Sequence, residues 1–90
     1  MFTAAFNQVR SMEGIRSIVA RFPQRELEIR RCYLRDAQFQ AICADYEEAM
    51  TALRHWQHAS EKGDVEGLRK ATDYENLVAE LEQEALTYLV

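Results

Sequence analysis

Two apolar stripes at helical spacing, separated by Lys62-Gly63-Asp64, constrain what this 90-residue chain can fold into. Phe39, Ile42, Tyr46, Ala49, Leu53 and Trp56 recur at steps of three and four, with Cys43 and Met50 widening the face. Ala71, Tyr74, Val78, Leu81, Ala85 and Tyr88 repeat the spacing, flanked by Leu68, Leu77 and Leu89. Each stripe is the buried face of one helix, and a hairpin is the simplest way to satisfy both. The first arm is predicted over 36–62, with Asp36 as N-cap and Gly63 just past the end. The second is predicted over 64–89. Asp64 can cap it directly after the glycine, whereas Thr72 with Glu75 offers a capping box eight residues later. The earlier start is preferred because it gives matched arms of about 25 residues, although Gly67 in the first turn counts against it.

Ahead of the hairpin, Pro23 disfavours helical geometry at Phe22 and suits the first turn of a new helix. The segment 23–35 is therefore predicted to be a separate arginine-rich helix with Leu27, Ile29, Tyr33 and Leu34 as its apolar contacts, joined to the long arm or kinked at Asp36. Residues 1–22 form an amphipathic segment: Phe2, Ala5, Phe6, Val9 and Met12, then Ile15, Ile18, Val19 and Phe22 across Gly14. Met12 offers an alternative start. With three glycines and one proline, few sites for turns remain, so the expected fold is all-α. One domain, 1–90, is expected: a long antiparallel helical hairpin preceded by one or two shorter N-terminal helices. No apolar run approaches the roughly 20 residues of a membrane-spanning helix. The absence of a signal-peptide pattern and the presence of only Cys32 and Cys43 point to a reducing cytoplasm.

Charge is split along the chain. Residues 1–35 carry seven arginines against three acids, a balance of +4, and residues 36–90 carry four basic residues against twelve acids, a balance of −8. Either the two parts meet, within or between chains, or the basic part meets an anionic partner. Arg25, Arg30, Arg31 and Arg35 are the candidates for meeting the acidic second arm, where Glu80 and Glu84 stand four apart and repel. They are equally the candidate anion-binding residues.

The stretch from Arg21 to Trp56, RFPQRELEIRRCYLRDAQFQAICADYEEAMTALRHW, contains R-F-P-x-R-E, R-D-x-x-F and D-Y-x-E-A elements. It resembles a group of short uncharacterised bacterial helical-hairpin proteins. Together with DYENLVAELEQEALTYL it is distantly similar to the YdcH-like domain, a bacterial helical hairpin of unknown function. This chain departs from that pattern in its acidic second arm, where the family is lysine-rich, and in its arginine-rich N-terminal extension. The resemblance covers about residues 21–89 and implies a hairpin fold and a bacterial, cytoplasmic setting, with no activity attached.

Little in the sequence points to catalysis. His55 and His58 have a spacing that can put two imidazoles near one metal, but no H-E-x-x-H or Glu-x-x-His accompanies them. Cys32 lies among arginines that would lower a thiol's pKa if it were exposed; packing as a small hydrophobe is the plainer reading for both cysteines. The acids Asp45, Glu47, Glu48, Asp73, Glu75, Glu80, Glu82 and Glu84 read as solvated helix faces. No phosphate loop or Ser/His/Asp arrangement can be assembled, so no catalytic residue, cofactor or metal is expected. The expected function is a non-enzymatic interaction or scaffold protein that self-associates, a dimer being favoured, or that takes an unidentified protein partner. Phe39, Ile42, Tyr46, Leu53, Trp56, Tyr74, Val78 and Leu81 are its expected interface. The alternative is an anion-binding module contacting nucleic acid or an anionic membrane surface, which the overall net charge of −4 opposes.

Overall fold

The computed structural model describes residues 14–89. Among them the elements are α1 (Arg16–Arg21), a 3₁₀ turn (Pro23–Arg25), α2 (Glu26–Arg35), α3 (Ala37–Glu61) and α4 (Val65–Thr87), with no strand. Of the amphipathic helix expected over residues 1–22, residues 1–13 lie outside the described residues. Helices α3 and α4 form the antiparallel hairpin that the paired stripes predict, preceded by the shorter helices.

Each helix end is set by local chemistry. Pro23 opens the 3₁₀ turn after Phe22, whose backbone (φ −127°, ψ 64°) leaves the helical region. Asp36 is extended (φ −125°, ψ 111°), and its carboxylate accepts from the Gln38 and Phe39 N–H groups at 2.9 and 3.2 Å. That cap starts α3 and separates it from α2. The break also leaves carbonyls at the end of α2 without helical partners, and the Gln40 side-chain amide donates to the Tyr33 carbonyl at 2.6 Å. At the hairpin tip the N–H of Gly63 donates to the Ser60 carbonyl at 3.0 Å and that of Asp64 to the Ala59 carbonyl at 3.2 Å. This pair of bonds is a Schellman closure, with Gly63 at φ +90°, where a side chain is strained. Asp64 then caps α4 through the Glu66 N–H at 3.0 Å. Thr72, the other candidate cap, donates instead to the Leu68 carbonyl within α4.

Gly67 has a role that sequence reasoning did not foresee. A Cβ placed there would lie 2.9 Å from the Ser60 backbone nitrogen and 3.0 Å from the Ala59 Cβ. Its absence lets the first turn of α4 sit directly on the last turn of α3, so the arms close from the tip.

The core runs along the hairpin seam through Phe39, Cys43, Tyr46, Ala49, Leu53, Ala71, Val78, Leu81 and Ala85. Helix α1 lies on one flank and buries Ile15 and Ile18 against it. Helix α2 closes the open end with Ile29, Cys32 and Tyr33 inward, beside the Phe39–Tyr88 ring pair, whose centroids are 5.7 Å apart. Leu27 and Leu34, expected as further contacts of α2, are 61% and 72% exposed. They stand seven residues apart, on the side of the helix opposite Ile29 and Tyr33, so the two pairs cannot share one buried face.

Gly67→Ala is expected to destabilise the fold by more than the 0.5–1 kcal/mol or so that a helix-interior glycine-to-alanine change normally contributes in the opposite direction. Urea unfolding followed by circular dichroism measures this. A stabilised variant would show that the arms do not approach this closely.

Candidate protein-interaction site

Six of the eight residues expected at an interface between copies, Phe39, Ile42, Tyr46, Leu53, Val78 and Leu81, are buried within a single chain. Packing of α3 and α4 on each other, with α1 and α2 against them, buries these residues within the chain, and of the six Leu81 also lines the surface groove described below. Trp56 and Tyr74 are half-buried. The His55 ring meets Trp56 edge-on at 4.8 Å, and the Lys70 ammonium lies 5.7 Å from the Trp56 ring centroid.

Two contacts tie α1 to its flank. The Ser17 N–H donates to the Glu47 carboxylate at 2.8 Å, satisfying an N–H in the first turn of α1. The Arg21 guanidinium meets Glu82 at 3.1 Å, and the buried Tyr46 hydroxyl donates to the same Glu82 oxygen at 2.6 Å. Glu47 and Glu82 are thus bonded, partly buried side chains. The expected solvated acidic face does not include them.

Among the described residues no helix covers the opposite flank of the hairpin. There Ala49 and Ala52 of α3 and Tyr74, Leu77 and Leu81 of α4 floor a shallow groove of about 340 Å³, with Asp45 and Glu48 among its lining residues. Asp73 adjoins it beside Tyr74 and Leu77. At about 100° per residue, Glu47 lies about 200° around α3 from both Asp45 and Ala49, which is why α1 leaves this side uncovered. Leu77 is 40% exposed. Among the described residues Asp45, Glu48 and Asp73 form no ion pair. The groove is an apolar strip with Asp45 and Glu48 at its edge and Asp73 and Lys70 beside it.

The second exposed feature is the outer face of α2. Leu27, Arg31 and Leu34 share it, with Arg35 at its border, and all four are exposed. The four candidate anion-binding arginines divide here. Arg25 bonds Glu28 and the Leu89 carbonyl, and Arg30 pairs with Glu26 at 2.9 Å. Arg31 and Arg35 form no ion pair among the described residues. None of the four meets Glu80 or Glu84. The basic and acidic parts are joined instead through Arg21 and Glu82, a contact the sequence signalled only as opposite charge.

The remaining polar residues offer little chemistry. Cys32 and Cys43 are buried and unbonded to each other. Burial raises the Cys32 thiol pKa and Asp36 adds to this, outweighing the opposing effect of Arg35; the arginine neighbourhood therefore does not activate it. Burial pushes the Cys43 thiol up to about 12. Burial first, then the hydrogen bond to Glu82, raises Tyr46 above the ordinary phenol range. His55 and His58 are exposed, and His58 lies 3.9 Å from Glu61. Among the described residues no three His, Cys, Asp or Glu side chains converge on a position for a metal. No helix among them is long and apolar enough to cross a membrane.

No family model, curated protein or solved structure matches the chain. The surfaces of the molecule itself therefore carry the functional reading.

Because the folded state holds the protons of Cys43 and Tyr46 more tightly than the unfolded chain, their contribution to stability is full below the unfolded pKa values of about 8.5 and 10. It is lost as pH rises through the folded values. The urea midpoint is expected to stay level to about pH 8 and fall from about pH 9 upward; a midpoint that rises there would contradict the burial of both groups. At neutral pH both thiols should alkylate slowly in the native protein and rapidly in denaturant. Glu82→Ala should destabilise by about 1–3 kcal/mol, the cost of leaving the buried Tyr46 hydroxyl without its acceptor, read from the same urea curves.

Proposed function

We propose that this chain is a non-enzymatic helical interaction protein that self-associates, using the bare flank of its hairpin as a docking surface for a helix. The observation that supports this is the groove: the exposed Leu77 with the partly buried Ala52 and Tyr74, continuous with the buried Ala49 and Leu81 of the core and edged by acids that form no ion pair among the described residues. Exposing Leu77 and part of Tyr74 beside the core is costly for a domain this small, and covering them with a second helical surface removes the cost. Carboxylates at the edge select an occupant whose flanks are basic. The groove holds no buried, activated titratable group, so recognition fits it better than catalysis. The two buried, unbonded thiols suit a reducing compartment such as the cytoplasm.

A second reading draws on the outer face of α2, where Arg31 and Arg35 flank Leu27 and Leu34: contact with an anionic membrane surface or nucleic acid. The acidic hairpin behind that face opposes it through like-charge repulsion with a polyanion.

Light scattering at low and high salt tests the main reading. The mass is expected to rise above the 10.5 kDa of one chain as concentration increases and to stay above it at high salt, because the apolar contact is not screened. A single-chain mass at every concentration would overturn self-association. Salt-sensitive binding to anionic vesicles or nucleic acid would then favour the second reading.

A further inference from the structure

We propose that the groove is occupied by helix α2 of a second copy of this chain, with Leu27 and Leu34 on its apolar floor and Arg31 and Arg35 against Asp45 and Glu48. The inference deepens the self-association reading and rests on it.

Three observations converge. The first is length. On α2 the exposed leucines are seven residues apart, two helical turns; on the groove side Asp45 to Ala52 and Tyr74 to Leu81 each span the same two turns, about 10.5 Å. The helix face and the strip are matched segments. The second is charge. Arg31 and Arg35 on one surface and Asp45 and Glu48 on the other all lack ion-pair partners among the described residues, and they have opposite signs. An arginine fork facing a carboxylate is the geometry best suited to this contact.

The third is exclusion of the alternatives between copies. Groove against groove would bring Asp45 and Glu48 toward their own duplicates, and α2 against α2 would do the same with Arg31 and Arg35; like-charge juxtaposition disfavours both. Nor can α2 fill the groove of its own chain as folded. Its Ile29 and Tyr33 side is held inward at the open end of the hairpin, through the Cys32–Tyr88 and Gln40–Tyr33 contacts, so Leu27 and Leu34 face away. Among the described residues one chain therefore displays both halves of a complementary pair, and a second copy can bring them together. A contact made by one short helix face is of the small, transient class, so association should depend on concentration.

Charge exchange tests this on the full chain. One variant carries Arg31→Glu and Arg35→Glu, the other Asp45→Lys and Glu48→Lys; all four positions are exposed, and circular dichroism checks that helicity is kept. Each variant alone sets like charges against each other at every contact and should stay at the mass of one chain where wild type associates. Mixed in equal amounts, they restore opposite charges at every contact, and the mass should return to that of wild type. The milder pair Arg31→Gln and Arg35→Gln should weaken association by a smaller factor and serves if reversal unfolds the chain. If wild type associates but a folded variant keeps its full mass, or mixing restores nothing, the placement of α2 is overturned while self-association stands. If wild type never associates, both fall together.

Discussion

Two antiparallel helices cannot by themselves hide two apolar stripes, and the rest of this structure follows from that limit. Packed against each other, α3 and α4 bury the centre of each stripe and leave its two margins open to water. A third helix laid along the hairpin can cover one margin. Here α1 does so with Ile15 and Ile18, while α2 closes the end against Phe39 and Tyr88. The second margin has no cover among the described residues, and the groove lined by Ala49, Ala52, Leu77 and Leu81 is its trace. Tight closure at the tip through Gly63 and Gly67 makes the arms meet, but it cannot widen the buried strip.

Which margin is covered is decided by polar contacts. Apolar burial is indifferent to direction, whereas Glu47 and Glu82 both lie on the covered flank and each supplies an acceptor that α1 requires. Glu82 meets a side chain from each of the other two helices on that flank, Arg21 of α1 and Tyr46 of α3. Its side chain is 15% exposed whereas that of Arg21 is 55% exposed, so the ion pair is open to solvent screening on the arginine side and orients α1 more than it stabilises it. The charge split of the sequence is used here for orientation, and the free energy of holding α1 comes from the burial of isoleucine.

The hairpin was legible because three independent signals agreed: stripe spacing, a cap at Asp36, and a glycine followed by a cap at the tip. Helix α2 was legible as an element but not in its facing. Leu27, Ile29, Tyr33 and Leu34 include two pairs of neighbours that a helix must split between opposite sides, and only the tertiary partner, Phe39 with Tyr88, decides which side turns in. The burial of six expected interface residues within a single chain has the same origin. Periodicity identifies residues that avoid water without saying whether the same chain or another provides the cover, and α1 was the least regular part of the pattern. Glu47 and Glu82 were hidden among like neighbours, since nothing local distinguishes an acid that will meet Ser17 or Arg21 from one that will face solvent.

A bare apolar margin would ordinarily invite indiscriminate sticking, and its edges argue against that outcome here. Asp45, Glu48 and Asp73, with Lys70 beside the last, border the strip on a chain already at −4, so an acidic surface approaches at an electrostatic disadvantage. The outer face of α2 is guarded in the same way by Arg31 and Arg35. Each surface is thereby discouraged from meeting its own duplicate and left open to the opposite sign. Under the proposed self-association, specificity would come from charges that contribute little to folding. Glu26, Glu28 and Glu82 pair with Arg30, Arg25 and Arg21, and Arg31 acts on Glu28 only at longer range, so that Arg31 and Arg35 form no ion pair among the described residues.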